Sequence, residues 1–135
     1  DLAAVEHANW PNRIEEADAL LFACALNEHN HHMLGPDELA RVGPGLRVVN
    51  VSRGPLINET ALATALEQGR VHSVALDVFE TEPLPARSQL RSFDDRVVFG
   101  SHNASNTEDA VIRASHRALD LLCGFLGVDK SDPPQ

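Results

Sequence analysis

Short apolar runs alternate with amphipathic helical patterns along this chain, and this alternation is the strongest constraint on its fold. Four runs are rich in Val, Leu or Ala and are flanked by glycine or polar residues: Asp18–Ala25, Leu46–Asn50, Ser73–Asp77 and Arg96–Phe99. Runs of this kind predict strands that are covered on both faces. Because helical patterns separate them, the connections predict βαβ crossovers and a mainly parallel, doubly wound α/β sheet.

Three segments carry helix signals. Pro36–Val42 begins with proline, which suits the first helical position. In Asn58–Gln68, Asn58 is a candidate N-cap, and Gly69 follows where a left-handed residue is favoured. Thr107–Phe125 is predicted to be a long amphipathic helix.

Composition narrows the class of protein. The 135 residues, 43% hydrophobic and 23% charged, indicate a single soluble domain over residues 1–135. A formal charge of −9 argues against a sequence-independent nucleic-acid binder, and no apolar run is long enough to span a membrane. The chain starts at Asp1 without a leader pattern, and Cys24 and Cys123 are expected to be buried thiols, so the cytoplasm is the expected compartment.

Polar residues follow the predicted strands at the edge where parallel α/β sheets bind their ligands. The four segments are Leu26–Asn27, Val51–Gly54, the residues from Asp77 onward, and Gly100–Asn103. An arginine, an acidic cluster and a histidine are therefore expected to converge on one edge of the sheet.

Arg53 and His102 could act together on a 2-oxo acid. The arginine presents a planar fork of donors that matches a carboxylate. An imidazole titrates at about pH 6.5 when unperturbed, so His102 could protonate a carbonyl oxygen as hydride arrives. A carboxylate beside the ring would favour its protonated form and fix its orientation. The alternative is a surface arginine, a solvated acidic loop and a loop histidine.

Long, ordered motifs add a family resemblance. Three stretches resemble the second half of the nucleotide-binding domain of D-isomer-specific 2-hydroxyacid dehydrogenases, a family that includes phosphoglycerate, glycerate and D-lactate dehydrogenases. They are NVSRG (Asn50–Gly54), LINETALATALEQGRVHSVALDVFETEPLP (Leu56–Pro85) and SHNASNTED (Ser101–Asp109). The segment Ala25–Leu34 (ALNEHNHHML) is similar to the PLTxxTxxLI segment of that family, and the resemblance runs from about Ile14 to Leu126.

The resemblance implies three catalytic residues. Arg53 matches the arginine that binds the substrate carboxylate, and His102 matches the acid/base histidine. Glu82, five residues after Asp77, matches the glutamate that hydrogen-bonds the catalytic histidine. Its neighbour Glu80 is expected to be solvated. The implied reaction is reversible hydride transfer between a nicotinamide cofactor and a D-2-hydroxy acid/2-oxo acid pair.

The resemblance also implies an NAD site, with NADP not excluded. The matching cofactor positions are Ala25, Asn27, Val51, Ser52, Arg53, Asp77, His102, Asn103, Ala104 and Ser105. Among these, Asp77 matches the acceptor for the nicotinamide carboxamide. Small residues after the histidine let the backbone approach a ring closely.

The chain departs from the family pattern in several places. Ala25 and Asn27 stand where the family usually has Pro and Thr, and Ser101 replaces the Pro before the histidine. The G-x-G-x-x-G fingerprint is absent. The only G-x-G, at Gly43–Gly45, precedes a strand, whereas the fingerprint follows one. These features predict a partial Rossmann domain that lacks the first glycine-rich βαβ unit. The full-length parent protein is expected to be an active dehydrogenase, and this fragment alone is expected to be inactive. If Asp1 is a remnant of the ribose-binding acid, NAD is favoured over NADP.

The expected partners are a small-molecule 2-hydroxy or 2-oxo acid and a second copy of the chain, in a homodimer formed through the last helix or a neighbouring one. Neither nucleic acid nor a membrane is expected as a partner. The cluster His29, His31 and His32 is interpreted as a loop and not as a metal site, residues 128–135 as a frayed tail, and Trp10 as a packed ring in a turn. The alternative function is a non-catalytic nucleotide-sensing or corepressor-like binding module of the same fold.

Overall fold

A four-stranded parallel sheet organises the computed structural model, which describes residues 6–128. The strands are β1 (Ala19–Phe22), β2 (Leu46–Asn50), β3 (Val71–Leu76) and β4 (Val97–Phe99). Each strand pairs with the next one along the chain. The predicted α/β class with a parallel Rossmann-type sheet is confirmed, and all four carboxyl ends meet at one edge.

The helices are α1 (Pro36–Arg41), α2 (Glu59–Glu67) and α3 (Glu108–Leu126). Their ends agree with the predicted signals within one residue. Asn58 caps α2, because its Oδ1 accepts a hydrogen bond of 2.8 Å from Ala61 N. Gly69 has a φ of +72°, the left-handed conformation predicted just beyond the helix.

The hydrophobic core lies between one face of the sheet and helices α1 and α2. The strand residues that point into it are almost completely buried. They include Leu46, Val48, Val71, Val74, Leu76 and Val97, which meet Leu39 of α1 and Leu62 and Leu66 of α2. Burial on this scale stabilises each such side chain by about 1.5–3 kcal/mol relative to an exposed one.

The prediction that both faces of the strands are covered is wrong for the alternate positions. Leu21 of β1 is 67% exposed and Val98 of β4 is 69% exposed. In β2, the exposed Arg47 lies between the buried Leu46 and Val48. The burial pattern is therefore the period-two alternation of a half-covered sheet, which a short run of apolar residues does not reveal.

Two smaller predictions had different outcomes. The buried thiol predicted at Cys24 is wrong, because this residue follows β1 at the exposed edge of the sheet; Cys24 and the half-buried Cys123 are both free thiols. Trp10 lies in a turn, as predicted, and its ring meets Phe22 edge-on at 6.0 Å while its Nε1 donates to Met33 O.

The chain divides into two compact units, and the second begins at Asn103. Its described part contains α3, which Thr107 caps through a 3.2 Å bond from Ala110 N and which Gly127 ends at a φ of +64°. No residue of α3 is buried. Within residues 6–128, no helix is both long and apolar enough to cross a membrane. The predictions for Asp1 and for the tail after Val128 lie outside the described residues, and the single domain stays a prediction.

Candidate active site

The turn after β2 is built around a buried asparagine. Asn50 is 1% exposed; its Nδ2 donates to Arg53 O at 2.9 Å and its Oδ1 accepts from Ser52 N at 3.0 Å. Ser52 Oγ in turn donates to Cys24 O, which joins the ends of β1 and β2. No role was predicted for Asn50, although a polar amide at the end of a buried strand is the signal that could have revealed one.

A glycine lets this turn pack against the loop that follows β3. A Cβ atom on Gly54 would lie 1.9 Å from Phe79 C and 2.5 Å from Glu80 N. Only glycine permits that approach. The segment that carries Arg53 is thereby fixed against the loop that carries Glu82.

The end of β4 is fixed to β3 in the same way. A Cβ atom on Gly100 would lie 2.4 Å from Asp77 Oδ1, and Gly100 N donates to Leu76 O at 2.7 Å. His102 N donates to Asp77 O at 2.7 Å. These contacts place Asp77, which is 9% exposed, directly beside the segment that leads into the histidine.

His102 has a left-handed backbone conformation, with a φ of +57°. This region is uncommon for residues other than glycine, and such strain is concentrated at functional sites. Ser101 precedes it where the family pattern has proline, yet the bond to Asp77 still fixes the position of His102.

His102 and Glu82 form a hydrogen-bonded pair. His102 Nδ1 lies 2.7 Å from Glu82 Oε2, and Glu82 Oε1 accepts a bond of 2.9 Å from Phe79 N. The hydrogen bond from His102, reinforced by the one from the Phe79 amide, lowers the pKa of the Glu82 carboxyl, whereas burial and the charge of Asp77 oppose the change. The carboxylate is therefore ionised and holds the ring through Nδ1.

An open cavity of about 570 Å³ lies over this pair. Its walls combine the titratable residues Asp77, Glu82 and His102 with apolar side chains and the guanidinium of Arg91. The lining residues are Asp77, Phe79, Glu82, Pro83, Leu84, Arg91, Phe99, Gly100, Ser101 and His102. Three of the residues singled out in the sequence thus share one concave surface, the expected setting for a small-molecule site.

Arg91 lines the cavity, although nothing in the sequence predicted a role for it. Its guanidinium donates to Leu84 O at 2.8 Å and to Pro85 O at 3.1 Å, and it lies 5.8 Å from the centre of the Phe99 ring. These contacts fasten the wall formed by the segment after Glu82. No local pattern announces them, because the partners of Arg91 are backbone carbonyls in an irregular loop.

Arg53 is exposed and does not line this cavity. Its Nη1 donates to Ser52 O at 2.7 Å. The structure therefore brings Glu82, His102 and Asp77 together, and it places Arg53 on the neighbouring turn. The role of Arg53 in binding a carboxylate stays a prediction.

The remaining cofactor candidates of the first unit lie at the ends of β1 and β2. Val51 is exposed, and its amide donates to Phe22 O at 3.3 Å. Ala25 O accepts from Asn30 Nδ2 at 2.8 Å, and Asn27 Oδ1 accepts from His29 N at 2.8 Å, so both belong to one folded turn.

Asn103, Ala104 and Ser105 begin the second unit. Asn103 O accepts a 2.8 Å bond from Asn106 N in the turn before α3. The assignment of these three residues to the cofactor site stays a prediction.

Glu80 is exposed, as expected, but its side chain also makes specific contacts that were not predicted. Its Oε1 accepts from Glu59 N at 3.1 Å and lies 2.8 Å from His32 Nε2. The side chains of His32 and Glu80 are only 33% and 32% exposed. Sequence reasoning missed these contacts because His32 and Glu80 are far apart in the chain and meet only through the fold.

Comparison with known proteins shows which family the chain resembles. Residues 1–104 match the model of the NAD binding domain of D-isomer specific 2-hydroxyacid dehydrogenases. Glyoxylate/hydroxypyruvate reductase B of Enterobacter agglomerans is 37% identical over 121 residues, which are 90% of this chain and 37% of that protein. The chain thus spans a little over a third of the length of this relative.

Solved structures agree with the family match. A D-isomer specific 2-hydroxyacid dehydrogenase from Xanthobacter autotrophicus Py2, in complex with NADPH and MES, has a TM-score of 0.63 and 32% identity over 66% of this chain and 28% of its own. The TT0316 protein from Thermus thermophilus has a TM-score of 0.72 and 28% identity over 90% of this chain and 39% of its own. With the family model covering most of its length, the chain belongs to the D-isomer specific 2-hydroxyacid dehydrogenases, as part of their NAD binding domain.

Proposed function

We propose that the protein containing this chain catalyses reversible hydride transfer between a nicotinamide cofactor and a small 2-oxo acid/D-2-hydroxy acid pair. The observation that carries the proposal is the 2.7 Å His102–Glu82 pair inside a cavity at the carboxyl edge of a parallel sheet. A binding module needs the fold and an edge for the nucleotide, but it does not need an imidazole held by a carboxylate. The pair therefore favours the enzyme over the non-catalytic module.

The residues at this edge suit a nicotinamide group. Val51 and Leu26 are 43% and 38% exposed and offer apolar surface at the ends of the strands. Asp77 supplies a carboxylate acceptor in the adjoining cavity, which matches a carboxamide N–H. When bound, the cofactor would supply or accept the hydride. NAD is the proposed cofactor, with NADP an alternative.

His102 is proposed as the acid/base group. Because Nδ1 donates to the Glu82 carboxylate, Nε2 is the ring atom that gives a proton to the carbonyl oxygen during reduction and removes one from the hydroxyl during oxidation. Glu82 fixes the orientation of the ring through the bond at Nδ1. The ionised state of Glu82 is favoured first by the hydrogen bond from His102 and then by the one from the Phe79 amide.

Arg53 is proposed to bind the substrate carboxylate, through the bidentate geometry that a guanidinium offers. Glyoxylate and hydroxypyruvate, which the name of the Enterobacter relative contains, are both 2-oxo acids of this class. They are therefore the first substrates to test, ahead of larger 2-oxo acids.

The test is a spectrophotometric assay of the full-length protein. We expect oxidation of NADH or NADPH with glyoxylate or hydroxypyruvate. His102→Ala is expected to lower kcat by about 10²–10⁴-fold while the Kd for NADH stays nearly unchanged. Arg53→Lys is expected to raise KM for the oxo acid about tenfold or more, because a point charge does not replace the fork.

Three results would contradict the proposal or its parts. Binding of NADH without turnover of any 2-oxo acid would support the non-catalytic module. Equal loss of turnover and of NADH binding in His102→Ala would make the histidine structural. An unchanged KM in Arg53→Lys would remove that residue from the substrate site.

A further inference from the structure

The loop between β3 and the cavity is held from two sides. On the cavity side, Phe79 N donates to the Glu82 carboxylate at 2.9 Å. On the other side, the next amide, Glu80 N, donates to Glu59 Oε1 at 2.6 Å. Two consecutive amides therefore bind two carboxylates, one of which belongs to the candidate site and the other to the first turn of α2.

Glu80 completes the outer attachment with its side chain. Its Oε1 accepts from Glu59 N at 3.1 Å, so Glu59 and Glu80 each bind the backbone amide of the other. The same oxygen lies 2.8 Å from His32 Nε2. These bonds connect the Glu80 side chain to the start of α2 and to the segment that precedes α1.

The position of His32 is also fixed. His32 N donates to Pro55 O at 2.7 Å, and its φ is +53°. Asn58 Oδ1 is occupied by the cap of α2, so Asn58 Nδ2 donates to His32 Nδ1 at 3.3 Å. The ring nitrogen that faces Glu80 is then the one that carries a hydrogen and donates it.

The closeness of Glu59 and Glu80 disfavours the charged form of the Glu59 carboxyl. Burial raises the pKa of the Glu59 carboxyl; the Glu80 amide opposes this change and the charge of Glu80 adds to it. Glu59 is half-buried next to a second carboxylate, a position that a carboxylate serving only solubility does not need. The bonds that Glu59 and Glu80 make to each other's amides fix the backbone at Glu80.

We infer that Glu80, fastened by His32 and Glu59, is a positioning residue that holds the Phe79–Glu82 turn so that Glu82 stays bonded to His102. Glu80 is not a catalytic residue, since it binds neither the ring of His102 nor the cavity lining. Its effect on Glu82 is carried by the backbone between residues 80 and 82. The inference deepens the proposed function, because it gives Glu82 its orientation toward the proposed acid/base group.

The test measures the Glu82 carboxyl directly by ¹³C NMR titration of this chain. The groups that face Glu82 are His102, the Phe79 amide and Asp77. Glu80→Ala removes both side-chain bonds of Glu80, so the turn loosens and the pKa of Glu82 is expected to rise toward the ordinary glutamate value. Loss of the Glu80 charge alone would lower that pKa, so an upward shift reports geometry.

Conservative variants separate the bond from the charge. Glu80→Gln keeps an oxygen that accepts from Glu59 N and His32 Nε2, so the titration of Glu82 is expected to stay at or slightly below that of the unsubstituted chain. His32→Asn suits the left-handed backbone and removes the ring's bonds to Glu80 and Asn58, but it leaves the bond between Glu80 and Glu59 N, so it is expected to shift the Glu82 titration upward by less than Glu80→Ala does. The matched control is Glu28→Ala, which removes the 3.4 Å pair with His29 on the surface and should leave the Glu82 titration unchanged.

Amide spectra show whether each variant is folded. A folded Glu80→Ala with an unshifted Glu82 would overturn the inference, and so would a Glu80→Gln that shifts as far upward as the alanine variant. If Glu80→Ala does not fold, an unshifted Glu82 in His32→Asn overturns it instead. The titration needs neither cofactor nor substrate. A protein without dehydrogenase activity whose Glu82 responds as expected would therefore refute the proposed function and leave this inference intact.

Discussion

The Glu82 carboxylate joins the chemistry of the candidate site to the stability of the fold. The hydrogen bond from His102, followed by the one from the Phe79 amide, lowers its pKa in the folded chain. An unfolded glutamate titrates at about pH 4.3. A group whose pKa is lowered by folding stabilises the fold above the unfolded value, and the stabilisation is lost as the pH falls through the folded value.

Glu82→Gln is therefore expected to flatten the acid side of the stability curve. At neutral pH the variant should be less stable to urea than the unsubstituted chain. The difference should shrink as the pH falls below about 4.3 and disappear once Glu82 is protonated in the folded state. Urea unfolding at a series of pH values measures this, and two curves that stay parallel into acid would show that Glu82 contributes no such linkage.

Single residues also show where sequence reasoning succeeded and where it did not. The family resemblance of the motif around Asp77 and Glu82 implied the pair with His102, and the structure shows the two side chains bonded. Glu80 is exposed as predicted, but the bonds of its side chain were not foreseen. Its partners lie on α2 and before α1, so only the folded chain brings them to it.

At the scale of elements, local signals predicted bounds better than burial. The predicted strand Leu46–Asn50 is β2 as observed, and the cap of α2 is Asn58, because a strand run and a capping side chain depend on nearby residues. Burial depends on what covers each face. The apolar Leu21 and Val98 were predicted to lie inside, but both are mostly exposed.

Contact between elements also depends on glycine, and this gives a second prediction. Gly54→Ala would force the Phe79–Glu80 backbone away from the β2 turn, since a Cβ has no room there. Overpacking of this kind costs about 1–3 kcal/mol. We expect a loss of that size in the free energy of unfolding, together with a weaker bond between Glu82 and His102.

The matched control is Gly124→Ala in α3, where a Cβ would meet nothing within 4 Å. Alanine favours a helix interior over glycine by about 1 kcal/mol, so this variant is expected to raise the helix content or leave it unchanged. Circular dichroism and urea unfolding measure both variants. Equal behaviour of the two would show that the contact of Gly54 with the Phe79 loop is unimportant.

At the scale of the whole molecule, the exposed apolar side chains of α3 are the feature that favours the predicted homodimer. Its apolar stripe is exposed along its length, with Phe125 86%, Leu121 58% and Val111 50% exposed. Exposed apolar patches favour association, and a helix with one apolar side can cover the same side of a second copy. The stripe comprises Ala110, Val111, Ala114, Ala118, Leu121, Leu122 and Phe125.

Phe125→Glu tests whether copies of the chain associate through this stripe. A charge in the apolar interface would have to be desolvated without a partner, so we expect dimer dissociation to shift to higher protein concentration. His116→Glu is the matched control, because it adds the same charge about two and a half turns away, on the opposite side of α3. Sedimentation velocity over a range of concentrations measures both variants. Equal weakening by the two substitutions would assign the effect to net charge, and an unsubstituted chain that stays monomeric throughout would exclude self-association through α3.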